Sequence, residues 1–173
     1  MLVHLGMTGR LQFEGSSEPS RPHTHLIFSL DAPGLWLHYS DSRRFGKLRL
    51  TAEPPTGLEQ LGPDPLEISW KEFYARLHRR RARLKSLLLD QRFLRGLGNI
   101  YADESLFYAG IHPAALGARL SREQAQRLYK AIRSTLRHAI ELGGSSISSY
   151  ADAQGRWGRF QEVHQVYQRT SVN

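Results

Sequence analysis

Short apolar runs of β type occupy the first 51 residues, and turn-forming residues separate them. The runs span residues 3–13, 25–30, 35–39 and 48–50, with Gly, Pro, Ser and Asp between them. Residues 35–39 come close to alternating apolar and polar side chains, which is typical of a strand with one buried face. The pattern therefore predicts four strands joined by polar turns.

Beyond residue 66 the apolar positions recur at helical spacing instead. Residues 52–66 are rich in Gly and Pro, so we place a single domain boundary there, between residues 1–66 and 67–173. Ser69 and Glu72 match a capping box, in which the serine caps a backbone amide and the glutamate reaches back. A helix is predicted to begin at this box.

Three further helices are predicted in the second domain, followed by a loop-like segment. They cover residues 84–90, residues 99–108, and a long stretch from Ser121 to the glycine pair at 143–144. Residues 145–173 lack a clear period except for a short final strand predicted over 162–167. The fold class is therefore α+β, with a β-sheet module before a helical one.

The composition excludes several classes of protein. The 173 residues include 24 Lys and Arg against 16 Asp and Glu, a net charge of +8, which favours a polyanionic partner such as nucleic acid or an anionic membrane surface. The absence of cysteine excludes disulfides, a thiol nucleophile and cysteine-ligated zinc. No apolar run is long enough to span a membrane, and residues 1–10 do not resemble a signal peptide. We expect a soluble, basic, cytoplasmic protein.

A dense basic run lies at the start of the second domain. Residues 71–95 contain nine lysines and arginines and only two acidic residues. Such a run is often only a solvated helix face. This one ends in a glycine turn, residues 96–98, that leads into Asn99 at the start of a predicted helix, where backbone amides can bind an anion. The combination indicates contact with a phosphate backbone.

Two turns in the first domain carry large apolar side chains beside an arginine. Arg43 and Phe45 lie in a predicted turn that can be purely structural, but an aromatic next to an arginine on a loop tip can also enter a base stack. Met7 lies between flexible residues and is either core filler or a second apolar wedge. The residues alone leave both alternatives open.

Few polar residues have the spacing of a catalytic or metal site. His23 and His25 form half a metal site, and without an obvious third ligand we expect a role at the surface or in phosphate contact. The sequence shows no Ser/His/Asp order and no Walker-type loop. Glu104 lies on a partly apolar predicted helix, so we expect a buried carboxylate paired with a neighbour rather than a general base.

Four segments together resemble the bacterial formamidopyrimidine-DNA glycosylases, which remove oxidised purines such as 8-oxoguanine. In chain order they are HLGMTG (4–9), DSRRFG (41–46), LGPDPL (61–66) and GLGNIYADESLF (96–107). The last resembles the second half of the family's helix–two-turn–helix DNA-binding element and is the most specific. The resemblance covers nearly the whole chain and implies a partial antiparallel β-sandwich followed by a helical helix–two-turn–helix module.

The resemblance implies roles for the candidate residues. Met7, Arg43 and Phe45 would fill the gap left by a flipped nucleotide, with Arg43 bonding the orphaned base. The complete set of implied DNA-binding residues is His4, Met7, His23, Arg43, Phe45, Arg80, Lys85, Asn99 and Tyr101. A loop that caps the lesion would include Ser145, Ser146, Ser148 and Tyr150.

The resemblance also implies an activity, base-excision repair by a bifunctional DNA glycosylase and AP lyase. The family's N-terminal proline nucleophile, its glutamate and its lysine align upstream of Met1, so we expect no catalytic residue in this chain. The family's zinc ion is implied too, but its four cysteines have no counterpart here, so we expect no cofactor. We interpret the chain as a glycosylase lacking both ends.

Two functions of different classes remain open. One is the excision of oxidised purines with AP-lyase strand cleavage, and the other is a non-catalytic module that binds damaged or abasic DNA. A basic RNA-binding or ribosome-associated protein is a third possibility, which the wedge residues disfavour. The expected partner is double-stranded DNA with an oxidised purine or abasic site, in the bacterial cytoplasm, with no membrane and no obligate protein partner.

Overall fold

A computed structural model describes residues 1–19, 21–52, 58–146 and 151–167. Five strands come first within these residues: β1 (Leu2–His4), β2 (Gly9–Glu14), β3 (Thr24–Ser29), β4 (Trp36–Asp41) and β5 (Lys47–Arg49). Four α-helices follow: α1 (Trp70–His78), α2 (Leu84–Leu89), α3 (Asn99–Ala109) and α4 (Arg122–Glu141). The predicted α+β class is confirmed. None of the described helices is long and apolar enough to cross a membrane.

The strands form two small antiparallel sheets. Strand β1 pairs with β5, and β4 lies between β2 and β3 in a sheet of three. The prediction of one strand over residues 3–13 is wrong, because this segment forms both β1 and β2. A turn at residues 5–8 separates them, and Gly6 there adopts a left-handed φ of 64°. The strand break therefore places Met7 on a turn.

The segment after α4 belongs with the sheets. The chain divides into two compact units, the first made of Met1–Pro55 and Leu142–Glu162, the second of Thr56–Glu141 and Val163–Asn173. In the first unit the backbone N–H of Phe13 donates to the carbonyl oxygen of Ala153 over 2.9 Å. This division differs from the single boundary predicted near residue 66, because backbone hydrogen bonds, which leave no hydrophobic pattern, attach the later segment.

The core of the second unit is built from buried apolar side chains of all four helices and of the loops between them. Its fully buried members include Phe73 of α1, Leu88 of α2, Leu106 of α3 and Leu128 of α4. This packing, rather than helix propensity, accounts for most of the stability of helices as short as α2. The four predicted helices are all present.

The helix ends agree largely with the predicted signals. The hydroxyl of Ser69 accepts a hydrogen bond from the N–H of Glu72 over 3.2 Å, so the serine half of the capping box is confirmed. The Glu72 carboxylate instead lies 3.7 Å from Arg76, one helical turn along α1. Helix α3 ends at Gly110, which has a left-handed φ of 64°.

The strand predicted over residues 162–167 is wrong. A short 3-10 helix covers Phe160–Val163. The following N–H groups donate to the carboxylate of Glu104, over 2.9, 3.0 and 2.9 Å from Gln165, Val166 and Tyr167. Glu104 is fully buried, as expected, but its partners are backbone amides. The carboxylate supplies the acceptors that a neighbouring strand would otherwise provide.

Candidate nucleic-acid interface

Met7, Arg43 and Phe45 form a cluster, here called the wedge, on the surface of the first unit. Met7 is 71% exposed and Phe45 is 54% exposed. The guanidinium of Arg43 lies over the Phe45 ring, and its Nη1 donates to Met7 Sδ over 3.6 Å. Met7 is therefore exposed rather than core filler. Apolar side chains held on a surface beside a cation have the chemistry needed to enter a base stack.

Asp41, buried at the end of β4, holds the two loops that carry the wedge. Its carboxylate accepts hydrogen bonds from the hydroxyls of Thr8 and Tyr39 and from the N–H groups of Arg43 and Gly46. The Thr8 bond contributes most to keeping the pKa of Asp41 well below its usual range. Because Thr8 follows Met7 directly, one ionised carboxylate ties the Met7 turn to the loop of Arg43 and Phe45.

Close packing fixes the residue type at Gly46 in the same loop. A Cβ atom there would clash with the Tyr39 hydroxyl oxygen, so a side chain would displace Tyr39 from its hydrogen bond to Asp41. Sequence reasoning did not assign a role to Asp41, Thr8 or Gly46. Their only signal was their place inside the segments that resemble the glycosylase family.

Helix α3 begins without a side-chain cap, in the second unit. Gly98 occupies the N-cap position with extended backbone and has no side chain that could accept a hydrogen bond from the first turn. Gly96, with a φ of 79°, turns the chain just before it. Asn99 is the first residue of the eleven-residue helix. This glycine-rich entry leaves room for an external anion to cap the helix.

The other basic candidates of the second unit differ in how they are held. Arg80 is exposed just after α1. Lys85 of α2 lies 2.9 Å from a carboxylate oxygen of Asp103 on α3, and both side chains are partly exposed. Tyr101 is half-buried and packs against the core. Arg80 therefore presents an exposed charge, whereas Lys85 would share its charge between Asp103 and a phosphate.

The two remaining candidate histidines are exposed residues of the first unit, His4 at the end of β1 and His23 in the turn before β3. His4 accepts a hydrogen bond at Nδ1 from the N–H of Gly6 over 3.2 Å. His23 has a left-handed φ of 64°, and its carbonyl oxygen accepts the N–H of Asp41 over 3.0 Å. The backbone therefore positions His23 beside the end of β4.

The predicted lesion-capping loop is described only in part. Ser146 is buried, its hydroxyl accepts the N–H of Gly158 over 2.8 Å, and its own N–H donates to Gln161 over 2.8 Å. Ser145 is half-buried next to it. Ser148 and Tyr150 lie outside the described residues. The described base of the loop is therefore anchored to the segment that follows it.

Two family models match the chain. The formamidopyrimidine-DNA glycosylase N-terminal domain matches residues 1–48, and the formamidopyrimidine-DNA glycosylase H2TH domain matches residues 61–151, just over half of the chain. The chain belongs to the formamidopyrimidine-DNA glycosylase family. The resemblance drawn from the sequence motifs is confirmed.

Individual members of the glycosylase family agree with this assignment. The formamidopyrimidine-DNA glycosylase of Solibacter usitatus (strain Ellin6076) is 54% identical over 170 residues, covering 98% of this chain and 62% of the relative. The crystal structure of the MutM (Fpg) protein from Thermus thermophilus has a TM-score of 0.83 at 42% identity, covering 96% of this chain and 63% of that one. The chain thus spans a little less than two thirds of these proteins.

Solved complexes with DNA are also similar to this chain. The complex between the Lactococcus lactis Fpg and DNA containing an abasic site has a TM-score of 0.83 at 34% identity. The match covers 95% of this chain and 62% of the Lactococcus lactis protein.

The described residues do not fit the zinc ion implied by the glycosylase family. The chain contains no cysteine. Within the described ranges, no group of three or more His, Asp or Glu side chains is placed to hold a metal. His23 and His25 therefore have no third ligand within these ranges.

Proposed function

We propose that this chain is the DNA-recognising part of a formamidopyrimidine-DNA glycosylase and binds duplex DNA at an oxidised purine or an abasic site. In the whole protein this recognition would serve base-excision repair, with glycosylase and AP-lyase steps, on DNA in the bacterial cytoplasm. The observation that carries the proposal is the exposed wedge of Met7, Arg43 and Phe45, held together by contacts of Arg43 with both neighbours.

The wedge suits a duplex from which one nucleotide has been flipped out. Unstacking costs a few kcal/mol per base step, and apolar side chains that fill the gap offset part of this cost. The guanidinium of Arg43 offers several donors to the orphaned base, and the Phe45 ring offers a stacking face. Because Asp41 fixes both loops before DNA arrives, less conformational entropy is lost on binding.

The second unit would supply contacts to the phosphate backbone. The uncapped start of α3 at Gly98 and Asn99 suits a phosphate oxygen, and the exposed Arg80 adds a positive charge. His23 in the first unit and Lys85 in the second would add further phosphate contacts. These groups position the duplex but do not read the lesion, so specificity is assigned to the wedge.

The proposal assigns DNA binding, and no bond cleavage, to the described residues. It predicts a preference for abasic DNA in particular, because an abasic nucleotide has no base to unstack or unpair when it leaves the helix. A protein that merely carries a basic surface would instead bind all duplexes according to their charge.

Fluorescence anisotropy with two matched duplexes, one intact and one with a stable abasic analogue, tests the proposal. Binding is measured across a salt series, with a structured RNA as competitor. We expect about tenfold or greater preference for the abasic duplex, about 1.4 kcal/mol, persisting at moderate salt. Equal and steeply salt-dependent binding to both duplexes, or displacement by the RNA at equal concentration, contradicts the proposal.

A further inference from the structure

A small cavity in the first unit has two arginines in its wall. The cavity has a volume of about 210 Å³, and its lining includes Arg10 and Arg21 with the hydroxyl-bearing residues Thr8, Ser40 and Ser42. Among the described residues, neither arginine forms an ion pair with a carboxylate. Asp41 also lines the cavity, but its carboxylate accepts the four hydrogen bonds that hold the wedge loops.

Backbone contacts place both arginines beside this cavity. Arg10 lies on β2 directly opposite Ser40 of β4 and is half-buried. Arg21 precedes β3, and its carbonyl oxygen accepts the hydroxyl of Thr24 over 2.9 Å. Thr24 pairs in register with the same Ser40. Arg10 and Thr24, the residue whose hydroxyl bonds to the Arg21 carbonyl oxygen, therefore flank the same position of the sheet.

The two like charges share the cavity lining with the Asp41 carboxylate, which forms no ion pair with either arginine. Desolvation by burial and the nearby charge of Arg21 both lower the pKa of Arg10. Placing two guanidinium groups at one cavity is unfavourable unless an anion joins them. Guanidinium groups match the geometry of phosphate oxygens, and serine and threonine hydroxyls add donors to the same oxygens.

We propose that Arg10 and Arg21 bind a phosphate group in this cavity. Resting on the proposed function, the phosphate is a backbone phosphodiester of the DNA strand beside the wedge. The link is Thr8, which lines the cavity and accepts the N–H of Arg43 over 3.3 Å. His23, for which the glycosylase resemblance implies a DNA contact, lies two residues after Arg21. The site therefore extends the contacted backbone on the wedge side.

Salt-dependent DNA binding by single variants of the full chain tests the site. Arg10→Gln and Arg21→Gln should each lower the salt slope of duplex binding, and the double variant should lower it by about one unit, because the two arginines together neutralise one phosphate. Arg49→Gln removes the same charge from an exposed position on β5, outside the cavity, and should leave the slope unchanged. Arg10→Lys keeps the charge and should keep the slope, while the loss of the forked geometry weakens binding.

Inorganic phosphate provides a second arm that is independent of DNA. At matched ionic strength, phosphate should shift the Nε–Hε NMR signal of Arg10 in a saturable way in the wild type and in Arg49→Gln, but not in Arg21→Gln. Saturable phosphate binding with unchanged DNA slopes would support a site for a free phosphate-containing ligand instead of the backbone. If neither the slopes nor the signal respond, the site is overturned.

The two proposals fail in different ways. If the wild type shows no preference for abasic DNA but Arg10→Gln still lowers the salt slope, the proposed function fails and the phosphate site stands. If the abasic preference is present and the arginine variants behave like Arg49→Gln in both arms, only the phosphate site fails.

Discussion

The guanidinium carbon of Arg43 lies 4.8 Å from the centroid of the Phe45 ring, and both side chains are exposed. A cation–π contact at an exposed site contributes about 0.5–1 kcal/mol, enough to restrict the two side chains but not to lock them. Phe45 is therefore kept beside a cation on the surface instead of packing into the sheets. The two residues form one preassembled element for insertion into DNA.

Replacing Phe45 tests this element most simply. Phe45→Ala should lower the ratio of abasic to intact duplex affinity by about tenfold, because stacking of an aromatic side chain on a base contributes roughly 1–3 kcal/mol. General duplex affinity should change much less, since phosphate contacts remain. Anisotropy titrations with both duplexes measure the ratio.

Phe13→Ala is the matched control for Phe45→Ala. Phe13 is an aromatic residue of β2, 42% exposed, and lies outside the wedge. The Phe13→Ala variant should keep the wild-type ratio of abasic to intact duplex affinity. If Phe45→Ala lowered the affinity for both duplexes equally, Phe45 would not insert at the lesion.

The uncapped start of α3 predicts a conflict between stability and binding at Gly98. Gly98 has space for a side chain, and its φ of −103° is accessible to any residue. Gly98→Asp should stabilise the helix by about 0.3–1 kcal/mol through the helix dipole, and should weaken DNA binding several-fold because a carboxylate takes the phosphate position.

Gly98→Ser separates capping from charge. A serine can cap the same amides without a negative charge. The thermal stability of Gly98→Ser should therefore also rise, while its DNA affinity should fall less than that of Gly98→Asp. Thermal melting and anisotropy on the two variants give both quantities. Wild-type affinity in Gly98→Asp would show that no phosphate binds at this helix start.

The hydrogen bonds of Asp41 predict an acid-dependent loss of stability. Because the pKa of Asp41 is lowered in the folded chain, the unfolded chain takes up the proton first as the pH falls. The stabilisation is therefore fully present above about pH 5 and is lost progressively below about pH 4, near the ordinary aspartate value. Asp41→Asn should melt at a lower temperature than the wild type at pH 7. Its melting temperature should then fall less steeply than that of the wild type as the pH is lowered.

Melting curves from about pH 2.5 to about pH 7 check the role of Asp41 across this window. Asp31→Asn, at an exposed position between β3 and β4, is the control and should follow the wild-type profile. Asp41→Asn should in addition lose abasic preference, since the wedge loops are no longer joined. A wild-type acid profile in Asp41→Asn would contradict the assigned role.

Arg80 is predicted to contribute charge without specificity. Arg80→Ala should weaken binding to intact and abasic duplexes by the same factor and lower the salt slope by about one unit. Arg122→Ala, which removes an exposed arginine at the start of α4, serves as the control. An unchanged slope in Arg80→Ala would exclude Arg80 from the phosphate contacts.

Glu104 is predicted to stabilise the second unit. Hydrogen bonds to charged groups contribute about 1.5–3 kcal/mol each, and Glu104→Gln places an amide donor against three N–H groups, so we expect a loss of about 3 kcal/mol in the free energy of unfolding. Urea unfolding measures this loss. Glu123→Gln, in an exposed pair with Arg127, should cost less than about 1 kcal/mol.

Hydrophobic spacing and cap residues were sufficient to predict the helices. The Ser69 cap, the Gly110 terminus and the apolar face of α4 are local signals, and the structure contains each of them. The strand over residues 162–167 was wrongly predicted, because the backbone N–H groups of a β-type run can donate to a distant side chain such as Glu104 instead of to a paired strand. The turn between β1 and β2 was missed because residues 3–13 contain no Pro, Asn, Asp or Ser and apolar residues continue on both sides of Gly6.

The candidate interface was only partly accessible from sequence. Basic residues and helix starts have local signals, and family motifs selected Met7, Arg43 and Phe45. The hydrogen bonds of Asp41 to Thr8, 33 positions away in the chain, are a property of the folded sheet. The cavity of Arg10 and Arg21 depends likewise on strand register, which places Arg10 and Thr24 on either side of Ser40.

Insertion of the wedge can be observed directly by placing the fluorescent base 2-aminopurine opposite the abasic analogue. At saturating protein and fixed salt, the wild-type chain should raise the 2-aminopurine emission, because displacement from its stacked neighbours relieves quenching. Phe45→Ala, at concentrations that give equal occupancy, should produce a much smaller rise. Saturable binding by the wild type with no change in emission would contradict the claim that Met7, Arg43 and Phe45 enter the base stack.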